Sequence, residues 1–184
     1  IARTMLRSII AGAGTIAVAA ILGAGQPVLA DIAAKDVQVA AKTFGFTVPP
    51  LTGTVKVAVV FDPATPASQA EADQLTAILG SGLAVGATTL VPVPVPVGQL
   101  DGGLDGVGVA FVTAGLSAHH ERIFAATKAR KLLSVSVDTS CVQSARCVMG
   151  VKSEPKVEIL VNKAAAEASS VSFAPAFRMM ISEL

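Results

Sequence analysis

Val55-Lys56-Val57-Ala58-Val59-Val60-Phe61-Asp62-Pro63 is the stretch on which the fold turns. Its apolar residues are nearly continuous and mostly β-branched, the composition of a strand covered on both faces in a parallel sheet. Proline has no amide proton for a sheet ladder, so the strand ends at Asp62-Pro63. The next segment, Ser68 to Leu79, carries Leu75, Ile78 and Leu79 on one helical stripe, with Glu71, Asp73 and Gln74 elsewhere. Gly80 and Gly82 close it. Strand, turn and helix in this order make the first half of a βαβ unit.

Downstream, Thr88 to Val93 reads as a second strand that runs into Pro92, Pro94 and Pro96, alternating with valines. Such a piece is stiff and extended, and it must lie on an edge or leave the sheet. Asp101-Gly102-Gly103 marks a turn, Val107 to Thr113 a third strand, Ser117 to Lys131 a helix capped by Ser117, and Leu132 to Val137 a fourth strand. Val148 to Val151 and Lys156 to Val161 flank Ser153-Glu154-Pro155 as a hairpin. Asn162 caps a short helix, Lys163 to Ala168, and Ala174 to Leu184 sets Phe177, Met180, Ile181 and Leu184 on a final helical stripe. The pattern predicts an α/β domain over residues 31–184: a mostly parallel sheet, Rossmann- or flavodoxin-like, with helices on both faces, a C-terminal antiparallel hairpin and a terminal helix.

Upstream, Asp31 to Phe44 is a first amphipathic helix with Asp31 as its cap and Gly45 as its stop. Residues 1–30 read as a secretory signal peptide. Arg3 and Arg7 supply the positive region, and Ile9 to Leu22 is an uncharged run of 14 residues. Val28-Leu29-Ala30 offers a small-residue cleavage site, with the cut between Ala30 and Asp31. A spanning helix needs roughly twenty residues; the competing reading is an uncleaved anchor. A secreted, periplasmic location is the expectation.

Cys141 and Cys147 are the two cysteines of the chain. In an oxidising compartment such a pair closes a disulfide, whereas zinc wants about four ligands and no second cluster supplies them. The net charge of +1 shows no field for nucleic acid, and the chain has neither Trp nor Tyr to stack on bases.

Few residues of the sequence carry a pattern of chemistry. His119 and His120 are adjacent, so on a helix they point about 100° apart and do not chelate one metal; they read as solvated residues of a first turn. Ser117, His119 and Asp138 can be combined into a triad on paper, but no G-x-S-x-G elbow presents a nucleophile. Gly80-Ser81-Gly82 follows a helix and Gly102, Gly103 and Gly106 precede a strand, so neither group frames a phosphate loop. The expectation is a non-enzyme without metal or cofactor. One small-ligand candidate stands at the carboxyl end of the first strand: the turn with Asp62, Thr65 and Ser68, which an ordinary βα turn would equally require.

VKVAVVFDP (Val55 to Pro63), KLLSVSVD (Lys131 to Asp138) and above all the tail, VMGVKSEPKVEILVNKAAAEASSVSFAPAFRMMISEL (Val148 to Leu184), resemble the YfiR-like family of periplasmic proteins. That family ends in a strand, a tight turn, a second strand, an alanine-rich short helix and a final apolar helix; Ile159 to Ala166 stands in the matching place. Two stretches depart from it: Thr139 to Arg146, where a glycine-rich and often acidic segment is usual, and the Val91 to Val97 alternation. The member that gives the family its name restrains an inner-membrane diguanylate cyclase from the periplasmic side and so limits cyclic di-GMP. The resemblance thus implies a signalling regulator acting by protein–protein interaction on an inner-membrane signalling protein. The alternative is a solute-binding component of an ABC-type transporter, since VAVVFDPATPAS (Val57 to Ser68) also resembles the opening of a lobe in such proteins. Phe177, Met180 and Leu184 would serve either core packing or a homodimer.

Overall fold

A computed structural model describes residues 32–184. The signal peptide, the Ala30–Asp31 cleavage position and the Asp31 cap lie outside the described residues. The described residues form one eight-stranded sheet in the order β2-β3-β1-β4-β5-β6-β7-β8. Its elements are α1 (Ala34–Thr43), β1 (Gly53–Phe61), α2 (Pro66–Leu79), β2 (Leu83–Val85), β3 (Thr88–Pro96), α3 (Leu100–Gly103), β4 (Val109–Val112), α4 (His120–Ala129), β5 (Leu133–Ser136), α5 (Thr139–Gln143), β6 (Met149–Lys152), β7 (Glu158–Val161), α6 (Lys163–Ala168), α7 (Pro175–Arg178) and β8 (Ser182–Glu183). Strands β3, β1, β4, β5 and β6 are parallel, whereas β2 and β7 run antiparallel to β3 and β6. The mixed α/β class read from the sequence is the class observed.

β1 is the centre because both of its faces are apolar. Val55, Val57, Val59 and Phe61 meet α1 and α2 through Val37, Ala40, Ala41, Leu75 and Leu79. Ala58 and Val60 meet the opposite layer, where Leu100, Ile123, Cys141 and Val142 arrive from α3, α4 and α5, with Leu104 just after α3. A side-chain period of two therefore feeds two cores from one strand.

β3 settles the valine–proline question. Gly53 N–H donates to Ala87 O at 2.8 Å, so the odd residues of this stretch turn their backbone toward β1. The even residues, Pro92, Pro94 and Pro96 among them, face the other way, where β2 pairs only with Thr88 to Leu90. Each missing amide proton thus falls on the open side of the sheet, and the ladder to β1 stays intact over all of Gly53 to Phe61.

Several elements differ from expectation. β2 was not anticipated; it forms because Gly86, at φ 59°, allows a tight reversal into β3. Helix α1 begins at Ala34, and the Asp36 carboxylate reaches back to accept Ala33 N–H at 2.8 Å. Ser117 caps nothing: a 3-10 turn over Ser117–His119 precedes α4. The cysteine segment is helical, because Asp138 accepts Ser140 N–H and starts α5. The hairpin and the α6 cap are as expected, with Asn162 Oδ1 accepting Ala165 N–H. The terminal helix is a single turn, α7, after which the chain pairs with β7 as β8. Phe177 is buried between Phe46 and Phe173, and that anchorage leaves Met180 and Leu184 exposed instead of on one inward stripe.

Candidate functional site

After β1 the chain crosses through α2 to one side of the sheet, and after β4 it crosses through α4 to the other. The carboxyl ends of β1 and β4 therefore border the crevice where open α/β sheets take ligands. Asp62, Thr65 and Ser68 all stand at this place, together with Thr113, Ala114 and the first turn of α4.

The turn is closed on itself. Asp62 Oδ1 accepts Ala64 N–H at 2.9 Å and Oδ2 accepts the Thr65 hydroxyl at 2.8 Å. Those two bonds, Ala64 first, with the nearby His119 adding to them, hold the Asp62 carboxyl below its ordinary range. His119 Nε2 stands 3.5 Å from Asp62 Oδ2. Ser68 is fully buried; its hydroxyl accepts Asp62 N–H at 2.9 Å and lies 2.7 Å from Thr113 Oγ1. Thr113 in turn donates to Val60 O, and the buried Glu71 accepts Ala114 N–H at 2.9 Å. Of the three sequence candidates, Asp62 and Thr65 reach the surface and Ser68 builds the turn from below. The paper triad is not assembled, since the His119 imidazole is engaged with Asp62.

A second recess lies beside this crevice, at the carboxyl end of β5. Ser117, His120, Glu121, Ser140, Ser144 and Arg146 line a cavity of about 360 Å³. His120, expected to be solvated, is only 7% exposed, because α4 starts there and turns its first residue inward. Burial pushes its pKa down; Asp138 opposes this and His119 reinforces it. Its Nε2 is buried with no hydrogen-bond partner among the described residues. Arg146 Nε pairs with Glu121, and its guanidinium stands 5.7 Å from the centre of the Phe124 ring. The two adjacent histidines thus serve different neighbours, His119 on the β1 side and His120 on the β5 side.

The Cys141–Cys147 disulfide supplies the far wall. The two Cα atoms are 5.2 Å apart, within the usual range, and both residues are buried. Closing so short a loop stabilises by on the order of 2 kcal/mol in the chain-entropy picture. The amides of Arg146 and Cys147 both donate to Cys141 O, at 2.9 and 3.0 Å, so the bridge holds Arg146 in place. The cysteine pair was legible in the sequence; the cation it positions was not, because the signal is spread over 26 residues, from Glu121 to Arg146. Among the described residues no group of three His, Cys, Asp or Glu residues is arranged to hold a metal, and no helix is long and apolar enough to cross a membrane.

No protein-family model matches this sequence, and no curated protein does. Among solved structures, a conserved domain protein from Vibrio cholerae O1 biovar El Tor superposes with a TM-score of 0.59 over 84% of this chain, at 13% sequence identity. This chain spans 61% of the length of that protein. At such identity the likeness is one of fold alone: the chain is similar to the Vibrio protein in the course of its backbone.

Proposed function

We propose that this chain is an exported, YfiR-like regulatory module that docks on the periplasmic part of an inner-membrane signalling protein, such as a diguanylate cyclase, and restrains it. The observation that carries the export step is the Cys141–Cys147 disulfide, which is buried in the second core. Such a bond persists in oxidising compartments, and in cytosolic proteins it is rare. The regulatory step rests on the tail. Its residues resemble the YfiR-like ending, and they form the strand pair β6–β7, the Asn162-capped α6 and a last apolar turn.

The same tail offers a surface for docking. Met179 is 89% exposed, with Met180 and Leu184 also exposed beside the edge strand β8. Methionine-rich exposed patches adapt to partner surfaces. Restraint would follow from population shift, since a docked module stabilises only the partner state that it prefers. The test is capture of tagged protein from detergent-solubilised envelopes, with a Met179→Glu/Met180→Glu variant beside it. Recovery of a membrane protein with a cytoplasmic signalling domain, lost in the variant, is the expected result. Recovery of no membrane protein under mild detergent rejects the reading.

One observation favours a second reading, the solute-binding component of an ABC-type transporter: the β1/β4 switch point with Asp62 and Thr65 at its rim. Co-purification of permease subunits, together with a rise in melting temperature on adding a transported solute, would select it.

A further inference from the structure

We propose that the cavity between the first turn of α4 and the disulfide-bonded loop is a binding site for a small oxyanion, a phosphate or carboxylate group. The inference is independent of what the module docks on. Its first ground is place: the cavity opens at the carboxyl end of β5, next to the switch point. Its second is His120, more than nine-tenths buried in the cavity wall with an imidazole nitrogen that has no partner among the described residues. A buried polar nitrogen without a partner is costly, and a ligand atom that meets it recovers that cost.

The third ground is donor count. The guanidinium of Arg146 and the hydroxyls of Ser117 and Ser140 can donate into the space, and the His120 imidazole borders it. The hydroxyl of Ser144 already donates to Cys141 O. Among the described residues Glu121 is the single anionic side chain of the lining, and it is 76% exposed where it pairs with Arg146, itself 36% exposed. A pair with one end in solvent is worth little and yields to a ligand oxyanion. The disulfide and the two amides on Cys141 O fix the Arg146 backbone and so set the point from which its side chain reaches into the cavity. A planar guanidinium suits bidentate capture of a phosphate or carboxylate.

Charge couples this site to pH. His120 has Asp138 after β5 and His119 before it as charged neighbours and shares the cavity lining with Glu121 and Arg146, while His119 is engaged with Asp62. Burial keeps the imidazole neutral at neutral pH; an oxyanion beside it favours the charged form, so the anion binds together with a proton.

The experiment uses His119→Gln, which leaves His120 as the sole histidine of the chain. Its imidazole resonances are followed through a pH titration with and without inorganic phosphate, and again with succinate. The expected result is an upward move of the His120 titration with either anion and binding about tenfold tighter at pH 5.5 than at 7.5. Arg146→Gln should weaken binding by about tenfold or more, and Ser140→Ala by less. Both positions are on or near the surface, so the folded state is checked by the unchanged remainder of the spectrum. Co-sedimentation with phosphatidic acid vesicles separates sources: vesicle binding that Arg146→Gln abolishes assigns a lipid headgroup, and binding of free anion alone assigns a soluble ligand. An unmoved His120 titration, or an Arg146→Gln protein that binds as well as its parent, overturns the site.

Discussion

The hydroxyls of Ser68 and Thr113 lie 2.7 Å apart in a fully buried position and tie the start of α2 to the end of β4. Ser68 also accepts Asp62 N–H, and Thr113 donates to Val60 O. Four backbone or side-chain groups at the switch point therefore depend on two small residues. Removing one hydroxyl leaves the other with an unmet bond in a dry place, which costs about 1–3 kcal/mol. Thr113→Val keeps the shape of the side chain and should destabilise by that amount in urea unfolding. In the double variant Ser68→Ala/Thr113→Val, the second change should cost less than it does alone, because the orphaned partner is gone. Strictly additive losses would mean that the pair is not coupled.

Gly150 in β6 stands under α5. A Cβ built there would lie 2.9 Å from Cγ2 of the buried Val142. Val142 is next to Cys141, and the disulfide prevents α5 from backing away. Gly150→Ala should cost about 1–3 kcal/mol by overpacking. Combined with Val142→Ala, which vacates the contact, the alanine should be tolerated, so that the double variant is less destabilised than the two single losses predict when added. If the losses add, the sheet has moved and the contact is not what excludes a side chain at 150.

These two contacts also show where the sequence could and could not be read. Val55 to Phe61 was legible as a doubly covered strand because its apolar residues fall on both faces, and both faces indeed meet helices. Asn162 was legible as a cap because its side chain acts within three residues. Pro92, Pro94 and Pro96 announced an open edge through the amide protons they lack. What escaped is non-local. β2 has three residues and needs β3 to exist. The end of the chain carries a helical stripe, yet pairing with β7 wins after one turn of α7. His120 looked like its neighbour His119 until the sheet assigned one to Asp62 and buried the other.

His120 also sets a pH dependence of stability. Its pKa is lowered by folding, first through burial, with Asp138 opposing and His119 assisting. The unfolded chain therefore binds a proton that the folded chain resists, and stability falls as pH drops below the unfolded value of about 6.5. The slope contributed by one such group is at most about 1.4 kcal/mol per pH unit, and it ends once the folded form takes up the proton as well. Asp62 acts at lower pH: its carboxyl is depressed in the fold, so its contribution is present above the unfolded value and is lost on acidification below it. Urea midpoints measured from pH 7.5 to 5 in the absence of phosphate should fall for the parent and fall less for His120→Gln. Identical slopes for the two proteins would remove His120 as the cause.

The two open edges of the sheet are protected differently. β8 is two residues long and carries the charged Glu183, which pairs with Arg178 of α7, a short edge of the kind that resists pairing. On the other side β2 covers only the first part of β3, and from Val91 to Pro96 the outward backbone positions are the prolines. Their loss should matter little to the fold. The amide protons restored in Pro92→Thr/Pro94→Thr would point away from β1, and the ladder over Gly53 to Phe61 needs none of them. The expected stability loss is about 0.4–1 kcal/mol per site, arising from a looser unfolded chain. Association should change far more, because two new outward donors and β-favouring threonines turn a blocked edge into one that can add a strand. Sedimentation velocity across a concentration series should show higher-order species in the double variant at concentrations where the parent shows none. A variant that sediments like its parent would mean that the valines and the curvature of β3, and not the missing amide protons, keep this edge free.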